Sequence, residues 1–170
     1  MKTKRLTELA LLTAIALIIF IIELRIPNLV AIPGVKLGLA NIVTVYAIYK
    51  YNAKEVAMIV FARVMLGSIF GGNVSAIIYS MAGAVMCLAG MLGVKRIVPV
   101  NYIWLSSIIG AILHNTGQII VAVIIMRSFA VIYHYPYLII SGCIAGAFTG
   151  ICAQLMIKRG FMGKTVEKNK

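Results

Sequence analysis

Six apolar runs, at about 7–26, 37–51, 55–70, 74–94, 101–126 and 136–157, fill most of the chain and are parted only by short turns carrying Lys, Arg, Pro or Gly. Lipid cannot satisfy free backbone N–H and C=O groups, so segments at membrane depth must pair their own backbone or lie buried in protein. A helix needs about 20 residues to cross a hydrocarbon core of roughly 30 Å. The runs therefore predict an all-α membrane protein, a bundle of six transmembrane helices forming one integral membrane domain over residues 1–170, with a basic, disordered tail at 158–170. The apolar content of 62% and mean hydropathy of +1.04 lie far above the roughly 45–50% apolar content of a soluble domain. The second and third runs, at about 15 residues, reach only some 22 Å. They draw on neighbouring loops or sit where the bilayer thins, and the second is expected to begin inside the protein, beneath a loop at Pro33.

Charge sets the orientation. Of sixteen Lys and Arg residues, twelve lie in the termini and in the turns at 50–54 and 95–96. With an even number of spans, the positive-inside rule puts both termini in the cytoplasm of a bacterial cell membrane. The Tyr133–Tyr137 aromatic cluster then falls at the outer interface. Because the basic residues occupy short turns rather than one polar face, the net charge of +12 reads as orientation towards membrane lipids and not as nucleic-acid binding. Cys87, Cys143 and Cys152 sit in apolar runs at neither disulfide nor metal spacing. Two histidines with no carboxylate or thiol at ligand spacing predict no metal, and no cofactor is expected.

Four cations remain that orientation does not require: Arg25, Lys36, Arg63 and Arg127, with Glu23 the one acid near them. A charge on a membrane helix costs at least about 2.5–3.5 kcal/mol on insertion scales, so a retained one faces protein, water or a ligand. The stretch from Glu23 to Asn41 gathers charge, two prolines and two glycines between apolar runs, and is read as an outer loop folded over a pocket. Two readings stay open: these cations recognise a small anionic ligand, or the terminal three snorkel to headgroups while Arg63 pairs with Glu23. In the fifth run, His114, Asn115 and Gln118 share a face, extended by Ser107, Ala111 and Ala122. They either bond a neighbouring helix or, with Asn41 and Asn73, supply hydrogen bonds to a ligand. Gly142, Gly146 and Gly150 mark a packing seam, and Ala10 with Ala14 forms a small pair on the first helix.

The Ala10-Leu-Leu-Thr-Ala14 helix, the Ile32-Pro-Gly-Val-Lys-Leu-Gly-Leu-Ala-Asn41 loop, Phe61-Ala-Arg-Val-Met-Leu-Gly-Ser-Ile-Phe-Gly-Gly72 and Gly110-Ala-Ile-Leu-His-Asn-Thr-Gly-Gln118 resemble the membrane family labelled heptaprenyl diphosphate synthase component I, or Gx transporter. That family is in turn similar to the S components of energy-coupling-factor (ECF) vitamin transporters. The wider resemblance implies an S-component-like substrate-capture subunit, driven by a transmembrane coupling protein and two cytoplasmic ATPases. It implies docking of the coupling protein on Ala10 and Ala14, and a ligand beneath the Pro33–Asn41 stretch. Gly38 and Asn41 stand where S components carry acidic residues, so their vitamin ligands do not transfer. The chain has no aspartate, and its glutamates are scattered at 8, 23, 55 and 167. Prenyl-elongating synthases hold magnesium diphosphate through aspartate-rich motifs, so this chain is expected not to be an enzyme. No phosphate-binding Gly-rich loop is present either. The sequence reading is thus a transport subunit capturing a small anionic solute or isoprenoid-linked precursor. The alternatives are a non-catalytic accessory subunit of prenyl diphosphate or quinone biosynthesis, and a stand-alone carrier.

Overall fold

A computed structural model describes residues 3–25, 38–72 and 76–168 and is all-α across them. Helix α1 (Thr3–Arg25) is followed by α2 (Asn41–Lys50), α3 (Ala53–Phe70), α4 (Ala76–Val94), α5 (Ile103–Met126) and α6 (Tyr135–Lys168). Short 3-10 turns cover Val100–Tyr102 and Phe129–His134.

Among the described residues, four stretches are long and apolar enough to cross a membrane: Thr3–Glu23, Ile77–Val94, Val100–Met126 and Phe129–Arg159. Isoleucines and leucines such as Leu11, Ile18, Ile124 and Ile144 point outward from them, where they meet lipid acyl chains. The protein is a multi-pass membrane protein, consistent with a bacterial cytoplasmic membrane. The second and third of the six expected spans are of another kind. Helix α2 has ten residues, about 15 Å of rise, and α3 carries Lys54, Glu55 and Arg63. Burial of Val43, Thr44, Val45, Ala47 and Ile48 encloses the short α2 between its neighbours.

The basic turns gather at one end of the molecule. Arg5 near the start of α1 grips both carboxylate oxygens of Glu55 in the first turn of α3, at 2.9 and 2.8 Å. The Tyr51 hydroxyl meets Glu8 at 3.1 Å, and Lys95, past the end of α4, donates to the carbonyl of Ile48 at 2.6 Å. Above this end Val45, Ile48, Ile59, Met91 and Ile103 form the core.

Helices α4, α5 and α6 pack consecutively, and glycine sets their separation. A Cβ on Gly117 of α5 would lie 2.8 Å from the Ala82 carbonyl oxygen of α4, and one on Gly146 of α6 would lie 2.8 Å from the Ile108 Cα of α5. Such close backbone approach is how membrane helices gain dispersion contact when lipid removes the hydrophobic drive for association. The Gly142, Gly146 and Gly150 ladder is therefore the α5–α6 seam that its spacing predicts. Past residue 157, where the last run was expected to give way to a disordered tail, the helical backbone runs on through Lys168. Residues 158–168 hold no proline to stop a helix, and six of the eleven are Lys, Arg, Met or Glu, good helix formers that offset the glycines at 160 and 163.

Candidate functional site

The buried ionisable residues Glu23 and Arg63 converge where the end of α1, the entry to α2 and the middle of α3 meet. Gly38 has φ +67°, a left-handed conformation that costs other L-residues roughly 1–2 kcal/mol. That bend turns its N–H onto a carboxylate oxygen of Glu23 and lets its carbonyl accept from the Asn41 N–H at 2.9 Å. Asn41 in turn accepts from the Arg63 guanidinium at 3.0 Å through Oδ1. Glu23 and Arg63 are only 7% and 9% exposed, so the two ionisable groups sit inside the protein on either side of an uncharged relay. Among the described residues the ion pairs within 4.0 Å are those of Arg5 with Glu8 and Glu55. The expected alternative of a direct Arg63–Glu23 pair is thereby replaced by a hydrogen-bonded chain through Gly38 and Asn41.

The α5 constellation divides between two neighbours. The His114 ring packs against Gly83 on α4, its Cε1 3.0 Å from where a Gly83 Cβ would stand, and Gln118 packs there too, its Cγ 3.0 Å from the same point. Asn115 instead donates to the Leu138 carbonyl of α6 at 2.6 Å, in the space left by Gly142. Adjacent positions on a helix are about 100° apart, so His114 and Asn115 diverge once helices close on both sides. Thr116 adds a 2.7 Å bond to the Tyr135 hydroxyl at the other end of the α5–α6 connection.

Other predicted residues lie elsewhere. Arg127 is exposed at the left-handed C-cap of α5; thirteen residues, about 20 Å of helix, separate it from His114. Lys36, Asn73 and the side chain of Arg25 lie outside the described residues. Ala10 and Ala14 are exposed on α1. Sequence reasoning missed Thr44 and Thr149, which are buried in the wall shared by α2, α5 and α6. Thr149 pairs with Ser107 at 3.1 Å, and its place within the Gly142–Gly150 ladder was the available signal.

The family described as heptaprenyl diphosphate synthase component I matches residues 12–156. The chain belongs to that family. No curated protein and no solved structure matches it. Membership of the component I family corrects the transport reading: the match is to a component of prenyl diphosphate synthesis and not to an energy-coupling-factor S component. The coupling-protein role expected of Ala10 and Ala14 came from the S-component resemblance alone, and the family match does not bear on it. Two small residues on an outward helix face carry no partner identity of their own.

Proposed function

We propose that this chain is the non-catalytic, membrane-embedded component of a prenyl-diphosphate-forming system, working with a soluble, aspartate-rich synthase. The observation that carries this reading is a family match over residues 12–156 on a chain that has no aspartate. Magnesium diphosphate chemistry needs several carboxylate oxygens at one place. The three glutamates with described side chains are spread apart and engaged: Glu8 with Tyr51, Glu23 with Gly38 and Glu55 with Arg5.

Within this reading the two leftover cations with described side chains, Arg63 and Arg127, divide by place. Arg63 meets the diphosphate of an isoprenoid precursor or product, and Asn41 holds the guanidinium ready. Arg127 faces headgroups. The prenyl chain needs no dedicated groove, because the apolar outer faces of the helices already lie in hydrocarbon. Both termini lie on the cytoplasmic side, a reading supported by the basic turns gathered at one end. Co-purification tests the assignment. Gently extracted protein is expected to retain a soluble prenyl synthase of the same cell, and retention lost in an Arg63→Ala variant that still folds would not be expected, since Arg63 serves the ligand. Failure of the unaltered chain to retain any such synthase would remove the proposal.

A further inference from the structure

Between α2, α4, α5 and α6 lies a hollow of about 20 Å³ whose walls include Asn41, Thr44, Met91, Ser107, Gly146 and Thr149. A water needs roughly 10–15 Å³ of such volume and two to four polar partners. The polar atoms on these walls do not close their hydrogen bonds among themselves. Thr44 is 5% exposed, and its Oγ1 has no hydrogen-bond partner. The Thr149 hydroxyl donates its one hydrogen to the Ala145 carbonyl at 2.9 Å, with Gly146 O at 3.2 Å. The 3.1 Å contact between Ser107 and Thr149 must then have Ser107 as donor, which leaves Ser107 with acceptor capacity only. Asn41 has its oxygen taken by Arg63 and keeps an amide donor. Facing each other across the hollow are thus donors on α2 and an acceptor on α5.

We propose that this hollow is the binding site of one ordered water, which accepts from Thr44 and from the Asn41 amide and donates to Ser107. A metal cation suits the place poorly. No carboxylate is on the walls, and the Arg63 guanidinium already sits one hydrogen bond away, so a second buried positive charge would stand uncompensated. The water ties α2, too short to be held by its own length, to the α5–α6 pair. It also extends the Arg63–Asn41 bond into a polar chain that crosses the bundle.

Thr44→Val tests the site by the sign of its effect, since the two side chains have nearly the same shape. With the water present, the substitution removes one of its donors and lowers the melting midpoint of the detergent-solubilised protein by about 2–6 °C. Thr44→Ser restores most of the loss. Thr44→Val and Ser107→Ala are non-additive, because each disrupts the same bridge. A dry hollow predicts the opposite sign: valine then removes an unsatisfied buried hydroxyl, the midpoint stays or rises, and the two substitutions add. Either a rise or strict additivity overturns the proposal.

Discussion

Replacing Gly117 with alanine puts one methyl group against the backbone of a neighbouring helix. Its Cβ would stand 2.8 Å from the Ala82 carbonyl oxygen and 3.0 Å from both the Ala82 carbonyl carbon and the Gly83 Cα, where ordinary contact begins at 3.4 Å. All three atoms are backbone, so no side chain can rotate away. The α4 and α5 helices must part by roughly half an ångström, loosening dispersion contacts along their shared length. Overpacking of this kind costs about 1–3 kcal/mol. For a protein of this size, that is a fall of about 2–12 °C in melting midpoint. Gly93 supplies the control, because a Cβ there meets nothing within 4 Å. Alanine at 93 is expected to leave the midpoint unchanged or raise it slightly, by up to about 1 kcal/mol of helix propensity. Thermal unfolding in one detergent, followed by the fluorescence of a thiol-reactive dye at Cys87, the buried one of the three cysteines, compares the two variants. Equal midpoints for Gly117→Ala and the unaltered protein would refute the claim that backbone contact sets the α4–α5 separation.

Three further outcomes follow from the polar interior. Asn41→Leu takes the described partner from a buried guanidinium and should cost about 1–3 kcal/mol. Adding Arg63→Met should recover part of that loss, and a thermal-shift double-mutant cycle reads the coupling. Gly38→Ala forces a side chain into a left-handed residue and should lower stability by about 1–2 kcal/mol, measured in the same assay. Asn115→Leu removes one α5–α6 hydrogen bond and should cost about 0.6 kcal/mol, at most about 1.7. Helical content by circular dichroism is expected to stay the same.

What could be read from the sequence was what periodicity and burial dictate locally. The runs that became α1, α4, α5 and α6 needed only length and hydropathy, and the glycine ladder of α6 needed only its spacing of four. Partners were harder. That Asn41 would stand between Arg63 and the Gly38 turn depends on where three separate elements converge, which no spacing along one helix encodes. His114 and Asn115 looked like one polar stripe because a single helix was viewed in isolation; helices closing on two sides divide them. Thr44 and Thr149 went unnoticed because a threonine in an apolar run commonly satisfies itself on its own helix, as Thr13 does on the carbonyl of Leu9 at 2.9 Å. The transport expectation rested on a wider likeness than the residues supported, and Gly38 and Asn41 already departed from it.

The central claim is best tested by measuring chain elongation in proteoliposomes that hold this protein, supplied with isopentenyl diphosphate, an allylic diphosphate starter and magnesium. The account predicts no polyprenyl product from the membrane protein alone. Adding the soluble, aspartate-rich synthase of the same cell should yield product at a rate or chain length that differs from that with empty vesicles. Elongation by the membrane protein without the synthase, or synthase output identical with and without it, would contradict the account.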